Sequence, residues 1–581
     1  KNMESLIVKL KNKIVEVLTK TPDTKYDFLL PETSDESSKM NTFSQENNEI
    51  QSNNNSAETT NIFSSLDKNL EFMKIQYNAL INSDVVIREF TLSARGKQFK
   101  AFIIYIDGMV DTQLINDFIL KPLMLRNSAN SYDGEQNRVL SLKNDNKTII
   151  KKVRKFNLVD YIDSCLLPQN SVKKAEKFGD ILSGINSGNC ALFVDTINTA
   201  FDIDVKGFKQ RSINNPNNEI IIKGPQEAFV ESIRTNTSLI RRIVNNENLI
   251  IENIDVGKIS KTKCAVCYLK NIANNDLVAE VKFRLNEISV DSLLCSGELE
   301  QLISDDAETS IPLVLSTERP DKATKNLFEG KVVVLVNGNP YALIMPATYI
   351  DFVASPEDSN LKPAFANFLK IIRILSIFIT LFLPAVWVGI TNYHQELIPT
   401  ELLFSIVASR ENVPFPTIAE IILMEFSFEL IREAGLRVPS PIGPTIGIVG
   451  ALVLGQAAVS ASIVSPILII IIAITGIASF AIPDFSFGFH VRILRFVFIL
   501  IAYMAGFLGI ALSSFVYLAF LCNLRSFGVP YMVPYAPITS KKGGSLLRLD
   551  TWKTEERPDY LNTKRHHSQE HISMKWKKFC N

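Results

Sequence analysis

Apolar and polar positions follow two different patterns along this chain. Up to about residue 362, apolar runs of strand length such as "FKAFIIYI" and "VVVLV" alternate with segments of helical spacing such as "QEAFVESIRTNTSLIRRIV". Strands that alternate with helices are typical of α/β folds. Beyond residue 362, long stretches hold almost no charged residues and could cross a bilayer as helices. The pattern therefore predicts an α/β soluble head of two subdomains joined to an α-helical polytopic membrane domain of about four to five spans.

Changes in this pattern set the expected domain boundaries. The first residues have apolar positions at helical spacing, and a stretch rich in Ser, Asn, Glu and Thr follows that is too polar to bury a core. Strand and helix patterns then occur twice in succession. The expected domains are an amphipathic helix and disordered linker (1–63), α/β subdomain 1 (64–205), α/β subdomain 2 (206–362), the membrane domain (363–525) and a basic C-terminal cytoplasmic tail (526–581).

Membrane crossings are expected at 365–390, 442–461, 463–482 and 493–521. The last segment would be roughly 43 Å long as a helix, which exceeds a hydrocarbon layer of roughly 30 Å. It must therefore tilt, kink or protrude, and Gly506 is a plausible point of flexing.

Basic residues predict the orientation of these spans. Lys and Arg precede the first span and are in excess after the last, so we expect both the head and the C terminus on the cytoplasmic side. Two ends on one side require an even number of crossings. A helix over 415–435 is therefore expected to lie at the interface or to re-enter, because a full crossing there would make the count odd.

Composition excludes several classes of function. The formal net charge is 0, so nothing in it suggests a nucleic-acid partner. The first 393 residues contain no histidine, which excludes a Ser-His-Asp or Cys-His nucleophile in the head, and the chain has no G-x-x-x-x-G-K-[ST] loop. Cys264 and Cys267 form a C-x-x-C pair, but they lie in a predicted strand without a second pair, so we interpret them as small apolar core residues. We expect no enzyme activity, no metal and no cofactor.

Three glutamates mark the helix that precedes the second span. Glu425, Glu429 and Glu433 are four residues apart and therefore form one acidic stripe, opposite an apolar surface. One interpretation is an interfacial helix whose acids face water or pair with Arg432 and Arg437. The other is that neighbouring helices or several copies turn the carboxylates toward an aqueous path that attracts cations. The sequence leaves both open and makes these glutamates the candidates for a cation path.

Small residues are frequent in the span that follows. Gly443 and Gly447 have G-x-x-x-G spacing, and Gly450 and Gly455 continue the series. Small side chains let helix backbones approach closely, which is a major source of helix association in lipid. Gln456 needs a hydrogen-bond partner there and predicts an internal face. We expect these residues to pack helices together, either within one chain or between chains.

Several longer motifs resemble the A subunit of the GerA-type receptors of spore germination. They cover about residues 80–540 in order, namely "YIDGMVDTQLINDFILKPLM", "KGPQEAFVESIRTNTSLIRR", "LSTERPDKATKNLFEGKVVVLVNGNPYALIMPATYIDFVASPED", "SIVASRENVPFPTIAEIILMEFSFELIREAGLRVPSPIG" and "LRSFGVPYMVPYAP".

The resemblance implies a multi-pass receptor subunit in the inner membrane of a bacterial endospore, with its N- and C-terminal parts in the spore core. It implies a transporter-like B subunit, thought to bind the nutrient, and a lipoprotein C subunit as partners. A subunits of this family are thought to form a ring, proposed to be a pentamer, that is a nutrient-gated channel for monovalent cations. The helix with the three glutamates and the small-residue span match the family region expected at the pore.

Two functions remain open at this point. One is a subunit of a ligand-gated cation channel, and the other is a non-conducting scaffold that docks the B subunit and other germination proteins. A secondary transporter is a weaker third possibility, because the spans show no inverted repeat.

Overall fold

The structure is a computed structural model that describes residues 60–94, 97–125, 158–207, 216, 218–437, 455–539 and 547–569. Within these ranges, two β-sheets and their helices form the head, here residues 60–362, and long helices follow it. The amphipathic helix and linker expected before residue 60 lie outside the described residues, as does most of the span expected at 442–461.

The first sheet has five strands: β1 (Val85–Ala94), β2 (Lys97–Ile106), β3 (Val172–Ala175), β4 (Cys190–Val194) and β5 (Ala200–Ile203). Their order is β1-β2-β4-β5-β3, and every pairing is antiparallel. The helices of this half are α1 (Leu66–Gln76), α2 (Thr112–Leu114), α3 (Lys121–Leu125), α4 (Leu158–Tyr161) and α5 (Phe178–Asn186). Helices α1 and α5 cover one face, and the helical segments 112–125 and 158–166, which include α2, α3 and α4, cover the other, so the central strand β4 is buried along its whole length.

The second sheet also has five strands: β6 (Leu249–Val256), β7 (Thr262–Leu269), β8 (Leu315–Thr317), β9 (Val332–Val336) and β10 (Ala342–Met345). Their order is β6-β7-β9-β10-β8, again with antiparallel pairings throughout. The helices are α6 (Ile233–Ile243), α7 (Asn275–Glu287), α8 (Ser296–Ile303), α9 (Pro320–Glu329) and α10 (Tyr349–Val353). Helices α6 and α9 pack on one face, and α7 and α8 on the other.

The two halves of the head therefore repeat one topology. In each, a helix precedes a hairpin, the third strand lies at the far edge of the sheet, and a helix leads from it to the last two strands. A buried ion pair joins the halves, since Arg241 Nε on α6 lies 2.8 Å from Asp84 Oδ2 just before β1. The recurring strand and helix pattern of the sequence corresponds to this repeat.

The C-x-x-C pair lies in β7, as expected. Cys264 and Cys267 are both buried, but they belong to the cores on opposite faces of the second sheet. Burial raises the pKa of each thiol to about 12, so neither forms a reactive thiolate at neutral pH. The interpretation as apolar core residues is confirmed.

The helices after the head are α11 (Pro363–Tyr393), α12 (Thr400–Arg410), α13 (Thr417–Arg437), α14 (Pro466–Phe480) and α15 (Phe485–Asn523). Among the described helices, α11 and α15 are long and apolar enough to cross a membrane, whereas α14 is apolar but shorter. Two helices that could cross a membrane are therefore present in the described part of the chain, where charge-free stretches predict them.

Helix α15 reverses direction in its middle. Gly506 has φ 59° and ψ −144°, which is not helical. His490 Nε2 lies 3.0 Å from the hydroxyl of Tyr517, although the two residues would be about 40 Å apart along one straight helix. The hydroxyl of Tyr393, at the end of α11, donates to the carbonyl of Tyr503 beside this turn. Helix α15 is therefore a hairpin of two arms whose turn lies level with the end of α11.

This hairpin corrects the expectation of one long span over 493–521. The segment does bend at Gly506, but it turns back instead of tilting or protruding. A glycine with positive φ permits such a turn, because a side chain there would be strained and would meet the ring of Tyr393. We call the end of the bundle near Tyr393 and Gly506 the far side, and the end next to the head the head side.

After α15 the chain returns to the head. Strands β11 (Arg525–Ser526) and β12 (Val529–Pro530) form a small ladder, and Phe527, Val529 and Leu561 are buried in the core of the second sheet. The described part of the expected tail is thus packed against the head. The start of α11 and the end of α15 lie on the same side of the bundle.

Candidate functional site

Helix α13, which carries the acidic stripe, runs from the far side toward the head side. Its first residue, Thr417, lies 3.4 Å from the side-chain oxygen of Asn392 near the end of α11. Near its other end, the guanidinium of Arg432 lies over the ring of Phe480 at the end of α14. The helix therefore lies along the bundle, beside α14 and the first arm of α15.

The first glutamate of the stripe is inside the bundle. Glu425 has no exposed surface, and its carboxylate lies 2.8 Å from Arg495 Nη2 on α15, whose side chain is 1% exposed. Several of the buried polar atoms of this pair have no hydrogen-bond partner within the described residues, namely both carboxylate oxygens of Glu425 and Nε and Nη2 of Arg495. The contact is therefore an ion pair with poor hydrogen-bond geometry.

The second glutamate is also paired. Glu429 bonds to Arg492 on α15, and Arg432 lies 4.0 Å from its other oxygen. Arg432 also bonds to the hydroxyl of Ser479 on α14. Two carboxylates and three guanidinium groups thus form one charge cluster between three helices, which is buried at Glu425 and Arg495 and half-buried at Glu429.

The third glutamate has a different environment. Glu433 is exposed on the surface of the chain, one turn beyond Glu429. The three acids therefore do not share one environment, although they share one helix face.

This geometry places two acids of the predicted stripe against arginines and the third on the surface. Ionised groups among apolar helices are costly unless a counter-charge is adjacent, so Glu425 and Glu429 face the arginines of α15. The alternative pairing with Arg432 and Arg437 is correct only in part, because Arg432 is a secondary partner and the side chain of Arg437 is outside the described residues. A role of the three glutamates in a cation path stays a prediction.

A chain of hydrogen-bonding groups connects the head to both arms of α15. Ser310 Oγ of the head lies 2.7 Å from His490 Nδ1 on the first arm, and the other ring nitrogen of His490 contacts Tyr517 on the second arm. Phe487 packs against Tyr349 and Phe352 of the head in the same region. The head therefore contacts directly the arm of α15 that holds the arginines.

Residues 71–560 match the family model described as the Bacillus/Clostridium GerA spore germination protein. The chain belongs to this family. It is 39% identical to the spore germination protein KA of Bacillus subtilis over 86% of this chain and 87% of that protein. It is 36% identical to the spore germination protein GerLA of Bacillus cereus over 83% of this chain and 93% of that protein.

A solved structure of a related domain also matches. The crystal structure of the N-terminal domain of the A subunit of the Bacillus megaterium spore germinant receptor GerK3 is 31% identical, and the match covers 50% of this chain and 98% of that domain. Its TM-score of 0.34 is too low to bear on the fold or the function.

Arg492 and Arg495 of this GerA-family chain were not among the site residues predicted from the sequence. Arg492 and Arg495 are three residues apart in the otherwise apolar segment "GFHVRILRFVFILI", close to the spacing of Glu425 and Glu429. Two basic residues one turn apart in a membrane segment require acidic partners, and a matching acidic pair was available. That matched spacing was the signal that could have identified the pairing.

The small-residue candidates are only partly within the described residues. Gly443, Gly447 and Gly450 lie outside them. Gly455 is buried, and a Cβ on it would be in ordinary contact with Ile469 of α14 at 3.8 Å. We expected Gln456 to mark an internal face, but its side chain is exposed on the surface of this chain. A role of these residues in assembly between chains stays a prediction.

Proposed function

We propose that this chain is a membrane subunit of a nutrient-responsive germination receptor, and that it oligomerises to form a ligand-gated cation channel that triggers germination. The family relationship supports the receptor role. The channel role is supported by one observation above all, the buried pair of Glu425 and Arg495 among membrane helices. Ionisable residues at such a depth are expensive and commonly mark ion pathways or gates.

The paired arrangement corresponds in this proposal to a closed state. Each carboxylate that could attract a cation is balanced by an arginine of α15. A shift of α15 relative to α13 would separate the charges and expose the carboxylates to an aqueous path. The contacts of Ser310 and His490 give the head a direct connection to the helix that has to move.

The proposal extends to topology and location. Helices α11, α13 and α14, the two arms of α15, and one crossing by the residues between α13 and α14 would make six spans. Six is an even number, which agrees with the return of the chain to the head after α15. We place the protein in the inner membrane of the spore as a multi-pass subunit, with the head in the spore core.

The proposed partners follow from the family. They are a transporter-like B subunit that binds the nutrient, a lipoprotein C subunit, and further copies of this chain in a ring of five. Monovalent cations are the proposed permeant ions.

A non-conducting scaffold is the second candidate, and one observation favours it. Glu425 and Glu429 are already balanced by arginines of the same chain, so the bundle could serve only as an anchor for the head. Its buried ion pairs would then fix the register of α13 against α15.

A conductance measurement separates the two candidates. The assembled receptor, reconstituted in a planar bilayer, should pass cation current when the nutrient is added. Neutralising the three glutamates alone is a poor test, because it leaves buried arginines without partners. The charge swap E429R/R492E retains the pair and reverses the position of each charge, so it should alter the current or its ion selectivity. K174Q, which removes two surface ion pairs of the head, is the matched control.

Each outcome decides between the candidates. A channel requires a nutrient-dependent current that K174Q retains and the swap changes. Silence from a receptor shown to be fully assembled, with germination still supported by the swap, would instead favour the scaffold.

A further inference from the structure

A basic cluster lies where the head meets the first membrane helix. Arg373 on α11 bonds to both carboxylate oxygens of Asp358, at 2.7 and 2.8 Å. Arg548, from the segment after α15, donates to the backbone carbonyl of Asp358 at 2.6 Å and also to that of Leu361. Asp358 is 4% exposed, so this is a built junction rather than a set of free surface side chains.

Two lysines complete the cluster. Lys370 is only 8% exposed and lies three residues before Arg373 on α11, so the two cations share one face of the helix. Lys325 is exposed and bonds to Ser359 Oγ at 2.9 Å. Four cationic side chains therefore lie on or next to the segment that carries Asp358, more than this one carboxylate can balance.

The level of the cluster along α11 is that of lipid headgroups. A hydrocarbon layer of roughly 30 Å takes up about 20 helical residues at 1.5 Å each. Counted back from Tyr393 at the far side, such a length ends at Arg373. Lys370 then lies one turn above the hydrocarbon, in the layer that holds lipid phosphates.

Exposed apolar side chains flank the basic groups. Phe365 and Phe368 on the first turns of α11 are 64% and 62% exposed. The segment that contains Arg548 runs beside this part of α11, because the backbone of Arg548 makes two hydrogen bonds with the side chain of Asn367. The same segment exposes Leu549 and Trp552. Tryptophan and basic side chains next to apolar surface are typical of segments at the membrane interface.

We propose that Lys325, Lys370, Arg373 and Arg548 form a binding site for the phosphate of an anionic phospholipid in the head-side leaflet. The excess positive charge binds the headgroup, and the flanking aromatic and aliphatic side chains contact its acyl chains. The phosphate supplies the counter-charge that the single carboxylate of Asp358 does not. The site does not depend on whether the helices conduct ions.

The test uses the full-length protein in detergent and short-chain lipids. Binding of dioctanoyl phosphatidylglycerol, of dioctanoyl phosphatidylcholine and of inorganic phosphate is titrated by native mass spectrometry. The variants are K370Q and K325Q. The control is K121Q, a lysine of the first half of the head that is 63% exposed and has a long contact to Asp117. Because Lys325 is exposed, K325Q is not expected to disturb folding, even if K370Q does.

We expect phosphatidylglycerol to bind more tightly than phosphatidylcholine and each cluster variant to weaken it about fivefold, with K121Q unchanged. Equal binding of the two lipids would overturn the proposal. Equal affinities of K325Q and K121Q for phosphatidylglycerol would also overturn it, and the surface would then be a candidate for binding a protein partner. If inorganic phosphate displaced the lipid at equal concentration, the site would belong to free phosphate instead.

Discussion

At the scale of single residues, the main feature is that charge inside the bundle is paired. Glu425 and Arg495 come from helices distant in sequence and are both almost completely buried. The pair compensates for the loss of water around each ion, but a membrane anchor made only of apolar residues would avoid the cost. We therefore regard this pair as the best place to test whether charge in the bundle has a function.

R495Q should destabilise the protein by about 3–5 kcal/mol, because it leaves the carboxylate of Glu425 buried and unpaired. The double variant E425Q/R495Q removes both charges and should recover most of the loss. The apparent Tm of the purified protein in detergent measures both effects. K174Q, which removes two surface ion pairs, should change the apparent Tm little. A double variant as unstable as R495Q would show that the two side chains do not interact.

A second residue-scale prediction concerns pH. Glu300 on α8 lies near Asp484, the residue that caps α15, and burial together with this neighbouring acid raises the pKa of Glu300 to about 7 from 4.5. The folded state then favours the protonated carboxyl, so its contribution to stability is present below the unfolded value and is lost as the pH rises toward 7.

E300Q should therefore match the wild type in apparent Tm near pH 4.5 and exceed it above about pH 7. Thermal unfolding in detergent across this range measures the difference. A gap between the two proteins that stays constant with pH would contradict a raised pKa at this position.

At the scale of elements, α15 shows how one residue changes the meaning of an apolar segment. Hydropathy describes 493–521 as one span that is longer than the hydrocarbon layer is thick, and the structure does contain one apolar segment of this length. The backbone at Gly506 converts this length into two arms that both pack beside α11. Length and composition alone cannot distinguish a tilted helix from a hairpin, because both bury the same side chains in lipid.

G506A should destabilise the turn by about 1–3 kcal/mol, since a non-glycine residue is strained at this φ and ψ. Its Cβ would also lie 3.0 Å from the ring of Tyr393. The matched control is G435A on α13, where a Cβ meets nothing within 4 Å and alanine should be neutral or slightly stabilising. If both variants had the same apparent Tm in detergent, the turn at Gly506 would be in doubt.

At the scale of the whole molecule, the hairpin changes the number of crossings that the proposed topology allows. With a single span at 493–521, a crossing by α13 would leave the two ends of the bundle on opposite sides. Since α15 crosses twice in the proposed topology, α13 can cross as well and the C-terminal segment still returns to the second sheet. The acidic helix is then part of the bundle and not an interfacial segment.

Thiol labelling tests this arrangement. In a background without native cysteines, E411C at the end of α12 and K553C beside the head are both exposed positions. A membrane-impermeant reagent should label them from opposite sides in right-side-out and inverted vesicles. E433C, near the end of α13, should follow K553C if the acidic helix crosses. If E433C were labelled from the same side as E411C, α13 would not cross the membrane and would lie at the interface instead.

The sequence by itself determined the class of each region. Strand and helix periodicity indicated the repeated α/β pattern of the head, the absence of charge marked the long apolar helices, and the ordered motifs indicated the family that the comparison confirmed. These features depend on local periodicity and composition, which any stretch of sequence displays directly.

Only the tertiary structure decided which charges meet and where the chain reverses. Glu429 and Arg492, which bond to each other, are 63 residues apart in the sequence. The reversal at Gly506 depends on the space beside Tyr393. Periodicity shows that a side chain is buried, but it carries no information on which distant side chain lies opposite. Since an ion among apolar helices is stabilised by its immediate neighbour, that choice of neighbour determined the character of the candidate site.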